Sequence, residues 1–280
     1  MEIMKPKDFT VGRNERAACL LDFIAQRLGV SRNKAKGLLD ARAVLVNGRR
    51  VWMARHRLGP GDAIRVVDTP SVAANRRDGL TTLFQDEDCL VVDKPPGLLT
   101  NEGRSVESRL RTLTGEAGIC AAHRLDRDTS GCLIFARHAD ARAALIASFR
   151  AGHVKKMYHA LAWGKPDRDE RTLVSSMDGV EAVTHVRVLD ANRHASHWLI
   201  RIETGRTHQI RKHLLGLGCP VVGDRQYGSG VATLPDFEAP RQMLHASRVE
   251  FPHPRTSVLV RVEAPLPDDF RQAMKRLRLT

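Results

Sequence analysis

The string His123-Arg124-Leu125-Asp126-Arg127-Asp128-Thr129-Ser130-Gly131 concentrates charged and hydrogen-bonding side chains just before the apolar run Cys132-Leu133-Ile134-Phe135. Within it Asp126 is the carboxylate best placed to act as a nucleophile, since it precedes a Thr-Ser-Gly turn that could hold it rigid. A carboxylate attacks a sugar or base carbon only while ionised, and in a partly dry pocket that requires a neighbouring cation. The string Thr204-Gly205-Arg206-Thr207-His208-Gln209-Ile210-Arg211 offers two, Arg206 and Arg211. Five residues apart, they do not share one helical face, which predicts different tasks, one at a helix start and one within the helix. On residue types alone Asp126 serves equally well as half of a structural salt bridge. Asp126 and Asp128 could also form the acid pair of a nucleoside or glycosidic hydrolase, although two residues on one loop is a short separation for that chemistry.

Twelve histidines raise the question of a metal. The nearest pairs, His194 with His197 and His208 with His213, lack the i, i+4 helical spacing with an accompanying acid that a zinc site uses, so no metal is expected. The five cysteines, Cys19, Cys89, Cys120, Cys132 and Cys219, are odd in number, widely separated and without ligand spacing. They read as reduced core residues of a cytoplasmic protein. No apolar run is long enough to span a bilayer, and the first residues lack a signal-peptide pattern, so neither membrane insertion nor secretion is expected.

The chain has 280 residues, with 45 Lys and Arg against 32 Asp and Glu, a formal charge of +13. Such a length favours two domains, and such a charge favours a polyanionic partner over an acidic small molecule. Residues 1–68 hold 14 of the basic residues and 7 of the acidic ones, more than half of the excess in about a quarter of the length. A separate basic binding module is therefore expected at this end.

In that module Leu20, Leu21, Phe23, Ile24 and Leu28 recur at helical spacing and Gly29 closes the helix. Ser31 caps a second helix running to about Ala41, with Leu38 and Leu39 inward and Arg32, Lys34 and Lys36 outward. Asn47-Gly48 predicts a tight hairpin, and Gly59-Pro60-Gly61-Asp62 leads into a last strand, Ala63 to Val67. Residues 69–79 have no apolar periodicity and read as a linker. From residue 80 to 280, strands are predicted at 89–92, 133–136, 157–163, 183–189, 198–202 and 258–262, and helices at 106–113, 141–149, 209–217 and 270–277. Strands outnumber helices without a βαβ rhythm, so the fold class is α+β with a mixed, largely antiparallel sheet.

The basic second helix, Val46-Asn47-Gly48 and Gly61-Asp62-x-Ile64-x-Val66 resemble the S-four-type RNA-binding domain over residues 16–67. Arg42 departs from it, at the position where that family usually has glycine. The resemblance implies that Arg32, Lys34, Lys36 and Arg49 face phosphates.

The remainder resembles the RluA family of pseudouridine synthases. The 123–131 string matches its catalytic-loop motif. Further family patterns occur in order at Lys94-Pro95-Pro96-Gly97-Leu98-Leu99, Lys156-Met157-Tyr158-His159-Ala160, the 204–211 string, Gly223-Asp224-Arg225-Gln226-Tyr227-Gly228, and His245-Ala246 followed by Phe251-Pro252-His253-Pro254. The resemblance implies a pseudouridine synthase catalytic domain that isomerises uridine in RNA. Asp126 would be the nucleophile, Tyr158 would stack on the base and remove the carbon 5 proton, and Arg211 would pair with Asp126. Arg124 would fill the gap left by the extruded nucleotide, while His123, His208 and Arg206 would support or contact the substrate. The reaction is neither redox nor group transfer, so no cofactor is expected. Large-subunit ribosomal RNA is the first expected partner and transfer RNA the second; no protein partner is implied. A catalytically silent RNA-binding or ribosome-assembly factor is the competing expectation, and the presence of Asp126, Tyr158 and Arg211 together argues against it.

Overall fold

The computed structural model describes residues 7–12, 19–40, 43–51, 53–66, 76–77, 80–228 and 237–280. The chain divides into two compact units, Met1–Ala73 and Ala74–Thr280.

In the first unit, strand β1 (Lys7–Thr10) is followed by helices α1 (Leu20–Leu28) and α2 (Arg32–Asp40) and strands β2 (Val44–Val46), β3 (Arg49–Arg50) and β4 (Ala63–Val66), with sheet order β1-β4-β2-β3. Leu20, Phe23 and Ile24 of α1 and Ala35 and Leu39 of α2 pack on Val44, Val46, Ile64 and Val66. The Ser31 hydroxyl accepts the Lys34 N–H at 3.3 Å, as its capping position predicts. Asn47 and Gly48 have φ of 50° and 76°, the positive pair that a two-residue hairpin needs. The Asn47 side chain also accepts the Ala63 N–H (2.9 Å) and donates to Asp62 (2.8 Å), which fixes the hairpin on β4. Strand β1 is an addition to the sequence reading: its alternation is too short to register, and pairing with β4 makes it a strand. The turn around Arg42 lies outside the described residues.

The second unit contains β5 (Arg76–Arg77), β6 (Leu80–Gln85), β7 (Cys89–Lys94), α3 (Val106–Thr114), β8 (Cys120–Ala121), β9 (Ser130–Ala136), α4 (Ala139–Arg150), β10 (Lys155–Trp163), β11 (Glu170–Met177), β12 (Val180–Ala191), β13 (Ala195–Ile202), α5 (Gln209–Gly216), β14 (Leu244–Pro252), β15 (Leu259–Glu263) and α6 (Asp268–Arg276). The stretch read as a linker is corrected at its end, where Arg76–Arg77 pairs antiparallel with Leu80–Thr81. Ladder hydrogen bonds to β6 impose an extended form there that no apolar pattern announces. The sheet runs β11-β12-β13-β10-β14-β9-β7-β6-β5, with β15 on β14 and β8 on β9. All pairings between the named strands are antiparallel except β14 with β9, where His245 faces Ser130 and Ala246 faces Gly131.

That parallel contact positions the 123–131 string, whose loop ends where β9 begins. Gly131 has φ of +110°, and a Cβ there would lie 2.2 Å from the Ala246 carbonyl oxygen, so only glycine lets the two backbones meet. Behind it the Ser130 hydroxyl donates to His245 Nδ1 at 2.9 Å, while His245 Nε2 donates to the Ala264 carbonyl at 3.3 Å. One sheet face packs Leu133, Phe135, Trp198 and Ile200 against α3 and α5; the other packs Ile134, Val249 and Phe251 against α4. No described helix is long and apolar enough to cross a membrane.

Candidate active site

The loop from 122 to 129 is held at nearly every residue. Thr100 Oγ1 donates to the Leu125 carbonyl (3.0 Å) and accepts its N–H (3.1 Å). The Arg127 carbonyl accepts from Lys94 Nζ (2.7 Å) and the Gly97 N–H (2.9 Å), so the Lys-Pro-Pro-Gly string fastens the loop from below. Lys94 is fully buried, and burial pushes its ammonium down to about 7. From the other side Arg241 Nη1 donates to the Asp128 carbonyl (3.0 Å), Gln242 Nε2 donates to Thr129 Oγ1 (2.8 Å), and Arg241 is clamped to Asp269 of α6 at 2.7 and 3.0 Å. Such a scaffold leaves the Asp126 carboxylate little freedom before a substrate arrives.

Asp126 Oδ2 lies 3.2 Å from Arg211 Nη1 and 3.5 Å from Gln242 Nε2. Arg211 is inside α5, on the turn facing the loop, and its guanidinium makes a bidentate pair with the buried Asp224 at 2.6 and 2.8 Å. Burial alone would raise the Asp224 carboxyl. The Arg211 bond and the N–H groups of Tyr227 and Gln226 outweigh it and hold the carboxyl below the ordinary range. The same guanidinium stacks 4.8 Å from the Tyr227 ring centre. Arg211 is thus fixed by one acid while presenting its free edge to another. Sequence reasoning singled out Asp126 and Arg211 but gave no role to Asp224, Tyr227, Arg241 or Gln242. Their only signals are the Gly223-Asp224 string and the nearness of Arg241 and Gln242 to His245-Ala246.

Arg206 precedes α5 and is exposed; its N–H donates to Gln209 Oε1 at 3.0 Å, and its guanidinium makes no ion pair with Asp126. His208, at the helix entry with φ of 56°, hydrogen-bonds the Tyr227 hydroxyl at 3.0 Å and stands 4.0 Å from Asp126. Burial lowers its imidazole against the pull of Asp126, so it acts as a neutral hydrogen bonder.

Asp126, Arg211, Arg206 and His208 share a cleft of about 610 Å³ with His123, Arg124, Tyr158, Phe149 and Lys156. Tyr158 on β10 is buried, and burial first, then the Asp126 charge, raises its phenol, which therefore stays protonated. Arg124 is exposed at the wall and has no ion pair among the described residues. His123 lines the cleft as a supporting hydrogen bonder: its Nε2 accepts the Ile134 N–H at 3.2 Å and its ring packs 5.1 Å from Phe149. Burial pushes it down to about 3, so it remains neutral and committed to strand β9.

In the other unit Arg32, Lys34 and Lys36 are exposed on α2, and Arg32 pairs with Asp22 at 2.9 Å. Arg49 is on β3, but its side chain lies outside the described residues. Among the described residues one group of potential metal ligands is close enough to consider, Asp86, Cys89 and His253. Its donors are already used: Asp86 Oδ1 accepts two backbone N–H groups, Asp86 Oδ2 accepts from His253 Nε2, and His253 Nδ1 accepts from Arg255 and Thr256. It is a hydrogen-bonded junction between β6 and the end of β14.

Comparison with known proteins agrees with this arrangement. A family profile described as RNA pseudouridylate synthase matches residues 88–215, and an S4 domain profile matches residues 20–64. The chain is 33% identical to a ribosomal large subunit pseudouridine synthase D of Xanthomonas campestris, over 89% of this chain and 85% of that protein. It is 31% identical to the uncharacterized RNA pseudouridine synthase YlyB of Bacillus subtilis, over 98% and 99% respectively. Among solved structures, human RNA pseudouridylate synthase domain containing 1 aligns at a TM-score of 0.56 with 26% identity, over 72% of this chain and 95% of that one. With a full-length relative, the ordered motifs and the catalytic loop in its place, the chain belongs to the RluA family of RNA pseudouridine synthases, carries an N-terminal S4 domain, and isomerises uridine in RNA.

Proposed function

We propose that the substrate is large-subunit ribosomal RNA in the cytoplasm and that Asp126 initiates the reaction. The observation that carries the chemistry is the Asp126 carboxylate held 3.2 Å from an arginine already anchored by a second acid. The names of the relatives, ribosomal large subunit pseudouridine synthases, support the choice of RNA.

In this reading the uridine leaves its stack and enters the cleft, at a cost of about a few kcal/mol that is smallest in loops and bulges. Arg124 fills the space it vacates. The ribose carbon 1′ to nitrogen 1 bond breaks with assistance from Asp126, the uracil keeping the electron pair. The base turns, carbon 5 bonds to carbon 1′, and the carbon 5 proton is lost while nitrogen 1 gains one. No atom is added or removed. Arg211, 3.2 Å from the carboxylate, keeps Asp126 aimed. The raised Tyr158 phenol favours stacking on the base over service as the base that takes the carbon 5 proton.

Pseudouridine mapping by carbodiimide modification and reverse-transcription stops, on total RNA with and without this gene, tests the proposal. A stop lost from large-subunit RNA is the expected result. A loss confined to transfer RNA overturns the substrate, and unchanged stops favour the silent-factor reading.

A further inference from the structure

Lys156 is 9% exposed and lines the same cleft as Asp126. An ammonium has three donors to satisfy. Here Nζ has one acceptor, the Thr204 carbonyl at 3.3 Å, and one ring face, Phe149, at 5.7 Å from its centre. Among the described residues no carboxylate pairs with it; burial pushes it down to about 8. Lys94, buried more deeply still, has the Arg127 carbonyl at 2.7 Å and the Pro95 carbonyl at 3.0 Å and serves the loop. Lys156 serves nothing comparable inside the protein.

A buried cation with spare donors facing a cleft is poised for an anion that arrives with the ligand. Position narrows which anion. Lys156 and Tyr158 are two apart on β10, so both side chains leave the same face of the strand, roughly 6.6 Å apart along it. Lys156 Nζ lies over the Phe149 ring and against the Thr204 carbonyl, with Gly205 beside it, so the ammonium stands at the Phe149 and Gly205 rim of the cleft. An RNA strand offers only one full negative charge per nucleotide, on its phosphate, and a compact ammonium suits it as a point charge.

We propose that Lys156 binds a backbone phosphate next to the extruded uridine and so sets how deep the nucleotide sits against Tyr158 and Asp126. This rests on the cleft being where uridine reacts, but not on which RNA supplies it.

The test is a cycle between protein and substrate, run on whichever RNA the wild-type protein isomerises, so that an error in the proposed RNA reads separately in the mapping. Each phosphate flanking the target uridine is replaced singly by a neutral methylphosphonate, and affinity and half-saturating RNA concentration are measured for wild type, Lys156→Met and Lys156→Arg. One replacement should weaken wild-type binding by about tenfold, the size of one charge-assisted hydrogen bond. The same replacement should add little to Lys156→Met. The log–log salt slope of that variant should fall by about 0.7, and Lys156→Arg should restore most of it. Additive losses in the cycle, or a wild-type protein indifferent to both neutral linkages, overturn the proposal; the second reading needs no variant to fold.

Discussion

Arg211 Nη1 lies 3.2 Å from Asp126 while the opposite edge of the same guanidinium grips Asp224 at 2.6 and 2.8 Å. One cation thus joins a partly open carboxylate, free to meet substrate, to a buried one that cannot. Asp126→Asn keeps the shape and removes the charge. It should retain RNA binding, measured by filter retention, and abolish pseudouridine formation; residual turnover above about a thousandth of wild type would rule out nucleophilic assistance by this residue.

Asp224→Ala should cost more in stability than Asp126→Asn, though Asp224 touches no substrate in the proposed reaction. It strands a buried guanidinium, and removing one member of a buried pair costs about 3–5 kcal/mol. Arg211 would then be free to turn onto Asp126, so activity should fall in the fraction that remains folded. Urea unfolding together with turnover per folded molecule reads both effects.

The site was half legible in the sequence for a physical reason. Asp126 and Arg211 stand in strings dense enough to mark them. Asp224, Arg241 and Gln242 acquire their meaning only from partners brought by the fold, such as the Asp128 carbonyl that Arg241 reaches across 113 residues of chain. The same holds for the elements. Asn47-Gly48 marked its hairpin because the turn itself demands those residues. Strand β14, at the centre of the sheet, passed unread because His245, Arg248 and Glu250 break its apolar pattern and Pro252 ends it. His245 is tolerated there because Ser130 and the Ala264 carbonyl satisfy both ring nitrogens.

Gly131→Ala should be among the most damaging single methyl additions in the chain. It sets a Cβ 2.2 Å from the Ala246 carbonyl and forces an L side chain to φ of +110°. Overpacking and backbone strain each contribute about 1–3 kcal/mol. A fall in melting temperature of many degrees should follow, with loss of activity from the displaced loop. Gly152→Ala has positive φ but open space at its Cβ, and serves as the strain-only control.

Acid should unfold the catalytic unit earlier than its carboxylates alone predict. Burial lowers His245 to about 4 against an ordinary value near 6.5. Above that ordinary value both folded and unfolded forms are neutral and nothing changes. Below it the unfolded chain takes up a proton that the folded site refuses, so stability drops by about 1.4 kcal/mol per pH unit until about pH 4. His159, also lowered to about 4, adds in the same direction. Asp224 acts later, since its depressed carboxyl holds its contribution until the pH falls below the ordinary carboxylate range. Urea midpoints at pH 7, 6 and 5 should fall progressively; a flat profile down to pH 5 would contradict the buried neutral histidines.

The S4 unit should contribute affinity without chemistry. Lys34 and Lys36 are exposed on α2 and form no ion pair among the described side chains, whereas Arg32 is held by Asp22 at 2.9 Å and must exchange that partner for a phosphate. An exposed pair of this kind is worth at most about 1 kcal/mol, so the exchange costs little. Replacing Lys34 and Lys36 together with glutamine should reduce the log–log salt slope of RNA binding by about 1.4, two contacts at roughly 0.7 each for single-stranded RNA. Turnover at saturating RNA should stay near wild type, because Asp126, Arg211 and the cleft they line all belong to the other unit. Should the slope not change, the phosphate contacts must lie on a different face of the S4 fold from α2.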